Sequence, residues 1–264
     1  VKEFTDAIPN LSPVVSKATY GRMTRWAAKA FLARVYLNAE VYTGTPQWAK
    51  CIQECNDIIA SNQYMLTPTY RENFTSTNEN SKEMVFAVPY DEIFATESNI
   101  HMKTLDPLMQ LVYPMQVQPW GGNCAVPQWI DTYDPDDRRL RDTWIMGPQY
   151  SATTGALVID YVKTVTSIAS STNNQGYRIG KYEIKAGMRA GSSVDFPLMR
   201  YADVLMMKAE SLLRTGNAAE AATIVTQVRA RNFASNPAKA TVTAAELQQG
   251  SRYSYGEWAN GAQT

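Results

Sequence analysis

One histidine, three cysteines, balanced charge and no long apolar run mark this sequence, and each scarcity removes a class of function. With His101 as the sole imidazole, histidine-rich metal sites are excluded, and any serine or cysteine nucleophile has a single candidate base. The G-x-S-x-G, P-loop and G-x-G-x-x-G patterns do not occur. Three cysteines do not make a disulfide framework. Cys51 and Cys55, four apart, read as core residues on one helical face. The 25 basic and 25 acidic side chains cancel, so no positive field favours a phosphate backbone and nucleic acid is not expected as a partner. The sequence contains neither about 18 consecutive apolar residues nor a charged-then-apolar leader, so neither a membrane span nor a signal peptide is expected within it.

What is present suits a globular protein with a sizeable core: 264 residues, 45% hydrophobic and 19% charged. Two helical hairpins stand far apart in sequence. In "RMTRWAAKAFLARVYLNAE", Trp26, Ala27, Ala30, Phe31, Ala33 and Leu37 recur at helical spacing, with Arg22, Arg25 and Lys29 opposite. "TPQWAKCIQECNDIIAS" follows, with Thr45 expected to cap, Pro46 at the first helical position, and Trp48, Ile52, Cys55 and Ile59 as the buried stripe. The second hairpin is "DFPLMRYADVLMMKAESLLRTGNAAEAATIVTQVRARNF". Tyr201, Val204, Leu205, Ala209 and Leu212 form its first stripe, and Ala221, Ile224, Val225 and Val228 the answering one. Gly216 suits a left-handed stop, and Asn217 with Glu220 predicts a capping box. Paired helices with alanine at the close-approach positions are the unit of a tetratricopeptide-type solenoid.

Residues 63–195 have a different texture. "KEMVFAVPY", "LVIDYVKTV" and "YRIGKYEI" predict short strands, and "SIASSTNNQG" a polar turn. So much irregular chain between matched hairpins points to function carried on loops.

Candidate chemistry is sparse. His101, alone in a mixed loop, reads as structural rather than catalytic. Asp131, Asp134, Asp136 and Asp137 in "DTYDPDDRRLRDTW" lack the glycine turn and distal glutamate of an EF-hand, and Arg138, Arg139 and Arg141 lie beside them. A capped helix start with local ion pairs is the expected arrangement. Two carboxylates are all a glycosidase needs, so their presence discriminates nothing. Aromatics remain: Tyr113, Trp120, Trp129, Tyr133, Trp144 and Tyr150, interleaved with Asn and Gln. Indole faces beside amide side chains suit sugar rings. Trp129 and Trp144, each in an apolar, helix-like context, are expected in the core. Trp120, between Pro119 and the Gly121–Gly122 pair, has no periodicity that would bury it, so a ligand platform and a structural ring both stay open there.

In its order of segments the chain resembles the SusD/RagB family of Bacteroidetes nutrient-binding lipoproteins. The resemblance rests on "GRMTRWAAKAFLARVYLNAE", "NENSKEMVFAV", "PQWIDTYDPDDRRLRDTW" and "DFPLMRYADVLMMKAESLLRTGNAAEAATIVTQVRAR", in the family's order. It implies a mainly α SusD-like superhelix, with tetratricopeptide-like hairpins packed against a loop-rich region with a few short strands. One domain over 1–264 follows, with hairpins at 18–62 and 196–232 and a ligand-binding insertion at 63–195. The implied function is non-catalytic binding of oligosaccharide at the outer-membrane surface and its delivery to a SusC-like TonB-dependent transporter, with no cofactor and no metal. A peptide-binding member of the family or a helical-repeat adaptor is the alternative, and a glycoside hydrolase a more distant one. Because the family's binding aromatics lie between the strand matching "KEMVFAV" and the segment holding Asp136, Asp137 and Arg138, the resemblance makes Trp120 the stacking platform. Tyr113, Gln118, Asn123 and Tyr90 are its expected neighbours. Members carry an N-terminal lipid anchor and a longer C-terminal part, so "VKEFTDAIPNL" and "EWANGAQT" imply a fragment of a longer protein.

Overall fold

The computed structural model describes residues 1–167 and 169–249, together with the backbone of 258–259 and 262–263. In chain order the helices are α1 (Lys2–Ala7), α2 (Arg25–Leu37), α3 (Ala39–Thr43), α4 (Trp48–Ala60), α5 (Ile100–Thr104), α6 (Pro127–Ile130), α7 (Arg138–Thr143), α8 (Tyr201–Arg214), α9 (Ala218–Ala230) and α10 (Ala244–Leu247). The strands are short: β1 (Met84–Val88), β2 (Trp144–Ile145), β3 (Gly147–Tyr150), β4 (Leu157–Tyr161), β5 (Arg178–Ile179), β6 (Phe196–Arg200), β7 (Trp258–Ala259) and β8 (Ala262–Gln263). The long helices are α2, α4, α8 and α9, and the architecture is mainly α. Two compact units are formed. One comprises Val1–Asn73, Asn78–Pro89 and Phe196–Gly250; the other includes Phe74–Thr77 and Tyr90–Asp195.

The helical unit is built on small side chains. Thr24 caps α2 by accepting the Ala27 amide at 3.2 Å, and Ala27, Ala30 and Ala33 then lie fully buried along its inner face. With so little side chain between the axes, α4 approaches closely and presents Cys51, Cys55 and Ile58. Helix α4 packs on α2 on one side and on α8 on the other, and α8 packs on α9. The two sequence-distant hairpins thereby become one stack.

This sandwiching changes the expected stripe of α4. A helix between two neighbours buries more than one row, so Ile52 and Ile59 turn toward a second cluster around Leu205, Leu212, Ala221 and Ile224. Trp48 instead lies partly exposed, with the Arg214 guanidinium 5.5 Å from its ring centre. Thr45 does not cap: α4 begins at Trp48 with Gln47 as its N-cap, leaving Thr45 and Pro46 in the turn. The turn between α8 and α9 does use Gly216 in the left-handed region, at φ +87°. The predicted capping box is not made, because the Asn217 side chain does not accept from the first turn of α9. Glu220 pairs with Lys208 at 3.0 Å instead.

Strand β1 pairs antiparallel with β6, Met84 opposite Arg200 and Val88 opposite Phe196. Just before β1, the fully buried Glu83 gathers the unit's polar centre. It accepts from the Thr67 amide at 3.1 Å, the Thr67 hydroxyl at 2.9 Å, the Asn73 side chain at 3.1 Å and Arg200 Nη1 at 3.2 Å. Burial pushes the carboxyl of Glu83 up, but hydrogen bonding to Arg231 and the charges of Arg231 and Arg200 outweigh it, so the group is held below the usual carboxylate range.

The second unit is loop-rich. Its core gathers Met102, Leu105, Met109, Met115, Ile159, Tyr161 and Met188, flexible methionines filling the gaps that irregular backbone leaves. Hairpin β3–β4 sets Gly147 opposite Tyr161, and β2–β5 sets Trp144 opposite Ile179. The strands predicted in "KEMVFAVPY" and "LVIDYVKTV" are β1 and β4. In "YRIGKYEI" only Arg178–Ile179 is extended and paired. The polar run 167–176 is turn and irregular chain where described, Ile168 lying outside the described residues.

Candidate functional site

Residues 117–129, with two prolines and a glycine pair, form no regular element before α6 begins at Pro127. Their backbone is nevertheless fixed at several points. The Trp120 amide donates to Met102 O at 2.8 Å and the Asn123 amide to Lys103 O at 2.9 Å, so the loop borrows carbonyls from α5. Thr104 Oγ1 donates to Asn123 O at 2.8 Å, and the Ala125 amide reaches Tyr177 O at 2.9 Å. Arg178 stands behind the loop. Its guanidinium lies 5.3 Å from the Tyr161 ring centre, and it donates to Asn173 O at 2.7 Å and to Gly122 O at 3.4 Å.

The glycine pair is required by this path. Gly121 and Gly122 have φ of +76° and +120°, and a Cβ on Gly122 would sit 3.3 Å from Lys103 O. The chain thus turns over α5 with Pro119 buried beneath it. Trp120, the next residue, projects outward with 57% of its surface exposed. A rigid backbone carrying an exposed indole presents a large apolar face that loses little conformational freedom when covered.

The other predicted ligand residues stand on several segments. Gln118 and Asn123 are exposed on the same loop. Tyr113 packs partly buried against the methionine core, and its carbonyl accepts the Gly187 amide at 3.0 Å. Tyr90 belongs to a different segment, where its amide donates to Asp195 Oδ1 at 2.7 Å. Trp129 corrects the expectation of a core residue: it is 46% exposed and meets Tyr133 edge-on at 6.5 Å between centroids. The helix carrying it has only four residues, so a single inward position, Ile130, satisfies its burial. Trp144 is partly buried in β2, its indole N–H without a partner among the described residues. Sequence reasoning passed over Arg178 and Thr104, which hold the loop; neither lies within it, and no local pattern marks them.

The remaining candidates are held by their neighbours. His101 is buried in α5, with Nε2 3.0 Å from Arg189 O. Burial lowers its pKa, partly opposed by that hydrogen bond. Asp137 caps α7 through the Arg139 amide at 2.9 Å and pairs with the Arg139 guanidinium. Asp134 accepts the Asp136 amide at 2.8 Å, and Asp131 pairs with Lys163 at 2.5 Å. Among the described residues, no three His, Cys, Asp or Glu side chains converge as a metal site would require.

The SusD family model matches residues 45–252. The chain is 24% identical over 246 residues to the SusD-like protein P38 of Formosa agariphila, covering 87% of this chain and 46% of that protein. A SusD superfamily protein from Parabacteroides distasonis superposes with a TM-score of 0.69 at 19% identity, covering 88% of this chain and 48% of that one. Surface glycan-binding protein A from Bacteroides thetaiotaomicron, solved in complex with laminarihexaose, gives 0.67 at 17% identity over 88% of this chain and 52% of that one. The chain spans about half the length of these relatives. Together the helical stack, the loop-rich unit and a family match over most of its residues establish that the chain belongs to the SusD family.

Proposed function

We propose that this chain binds oligosaccharide without catalysis at the bacterial cell surface, and that the protein to which it belongs delivers the sugar to a SusC-like TonB-dependent outer-membrane transporter. The observation that carries the reading is the exposed Trp120 ring on a backbone held at Trp120 and at Asn123 by α5 carbonyls. Gln118 and Asn123, exposed on the same loop, supply amide donors and acceptors for hydroxyls. Tyr113, partly buried against the methionine core, and more weakly Tyr90 complete the proposed set. Residues 63–195 are the ligand-binding part of a domain whose helical hairpins form the scaffold. Outer-membrane attachment through an N-terminal lipid anchor belongs to the same reading. The sugar-binding class is supported by structural neighbours that are surface glycan-binding proteins.

The chemistry of the candidates supports the non-catalytic reading. A buried neutral His101 hydrogen-bonded to a backbone carbonyl is poorly placed as a base, and the acidic cluster is engaged in capping and ion pairs.

A peptide ligand is the second reading, and one feature favours it. A groove of about 450 Å³ in the helical unit is lined by Leu37, Met206, Leu213, Val225 and Leu247, with Arg34, Asp203 and Glu210 among its polar residues. Such a surface suits an apolar peptide segment that carries charged side chains at its edge. Intrinsic tryptophan fluorescence of the full protein, titrated with a glycan panel and with a peptide digest, separates the two. A saturable glycan response lost in Trp120→Ala supports the sugar reading. A response to peptides alone moves the function to the groove, and release of reducing ends would revive a hydrolase.

A further inference from the structure

A second cleft, of about 500 Å³, lies in the helical unit between the segment 15–20, the turn after α4 and the residues entering β1. Its volume is in the range of small-ligand sites. All of its lining residues belong to the helical unit, and none belongs to the loop that carries Trp120.

The lining combines aromatic surface with hydrogen-bonding groups. Tyr64 is buried and Tyr20 half-buried, while Gln63 and Asn80 supply amides. Burial pushes the Tyr64 phenol up to about 12, so it stays uncharged across physiological pH. Rings beside amides are the same chemistry that suits a sugar at Trp120.

Charge distinguishes this cleft. Lys17 lines it from the N-terminal segment and Lys82 from the approach to β1. Both are exposed, and neither ammonium meets a carboxylate among the described residues. In the same unit Lys29, Lys208, Arg200, Arg214 and Arg231 are each committed to an acid, and Arg34 and Lys50, which have no ion pair among the described residues, lie instead over the Phe31 and Tyr36 rings. The one acid in the lining, Glu79, already accepts from the Asn80 side chain at 2.9 Å. Two uncommitted cations therefore border a concave aromatic surface with one partly satisfied anion, and the local field favours a negative guest.

We propose that this cleft is a second saccharide site, taking a sugar unit that carries a carboxylate or a sulfate. The sugar part rests on the glycan-binding reading above; the charge preference rests on Lys17 and Lys82.

Calorimetric titration of the full chain tests it with three probes: an oligogalacturonate, a sulfated galactan oligosaccharide and neutral laminarihexaose. An anionic probe should bind the wild type, more weakly as salt rises, and its Kd should rise about tenfold or more in the Lys17→Glu/Lys82→Glu variant. Which anionic probe responds distinguishes carboxylate from sulfate. The milder Lys17→Ala/Lys82→Ala variant serves should charge reversal disturb folding. Trp120→Ala should leave anionic binding intact and affect laminarihexaose, so the two sites fail or succeed separately. Anionic binding unchanged in both lysine variants, lost in Trp120→Ala, or absent from the folded wild type overturns the second site.

Discussion

Arg231 and Glu83, separated by 148 positions, form a two-pronged ion pair inside the helical unit, with Arg231 Nη2 donating to Oε1 at 3.1 Å while Nη1 donates to Oε2. The glutamate side chain is fully buried and the arginine 8% exposed. The pair ties the end of α9 to the start of β1, and Thr67, Asn73 and Arg200 occupy the remaining valences of the carboxylate. A buried charge with its partner removed is strongly unfavourable.

Arg231→Ala should therefore cost about 3–5 kcal/mol by urea denaturation, because Glu83 loses both prongs. Since the folded pKa of Glu83 lies below its unfolded value, its contribution is full above the ordinary glutamate range and is lost as pH falls through the folded value. Wild type should lose stability in that acidic window, and Glu83→Gln should flatten the decline. An identical acid profile in both proteins would sink this account.

Trp120→Ala removes an exposed ring without touching the amide that anchors it. The melting midpoint should shift little, by about 0.5 kcal/mol equivalent or less. Glycan affinity should fall about tenfold or more, as for other aromatic anchors. Retained affinity in the folded variant would remove Trp120 from the site.

Arg178 positions the Trp120 loop from behind. Arg178→Ala removes the donors to Gly122, Asn123 and Asn173 and should weaken glycan binding although Trp120 is intact. Gly122→Ala should act similarly, since φ of +120° strains any side chain. Hydrogen exchange at the Trp120 and Asn123 amides is the diagnostic: faster exchange in both variants is expected, and unchanged protection would leave Arg178 with no positioning role.

The sole histidine makes one pH effect readable. Burial lowers the His101 pKa from 6.5, so the folded protein resists a proton that the unfolded chain accepts. Stability is full above the unfolded value and declines as pH falls from about 6.5 toward the folded value. Denaturation midpoints in that window should decline for wild type and much less for His101→Gln. NMR titration of the imidazole provides the folded value directly.

Much of the helical unit was legible in the sequence. The alanine spacing of α2, the stripes of α8 and α9 and the glycine stop at Gly216 are local signals, and helical periodicity reports them directly. The caps were less so. Thr45 and Asn217 have the right side chains in the right order, but their backbones follow the turns that tertiary packing selects. Trp129 shows the same limit for burial: its apolar neighbours suggested a core position, yet a four-residue helix needs only Ile130 inward.

The candidate site divides along the same line. Sequence by itself determined that the segment around Trp120 could be neither helix nor ordinary strand, because prolines deny amide donors and paired glycines permit left-handed backbone. It also determined the family, through the order of four segments. Tertiary structure alone decided that the segment is held by α5 carbonyls and by Arg178, more than fifty residues downstream, and that Lys17 and Lys82 border one cleft. The physical reason is range. Propensity and periodicity act over a few residues, whereas the hydrogen bonds and charges that build a binding surface join segments that only the folded chain brings together.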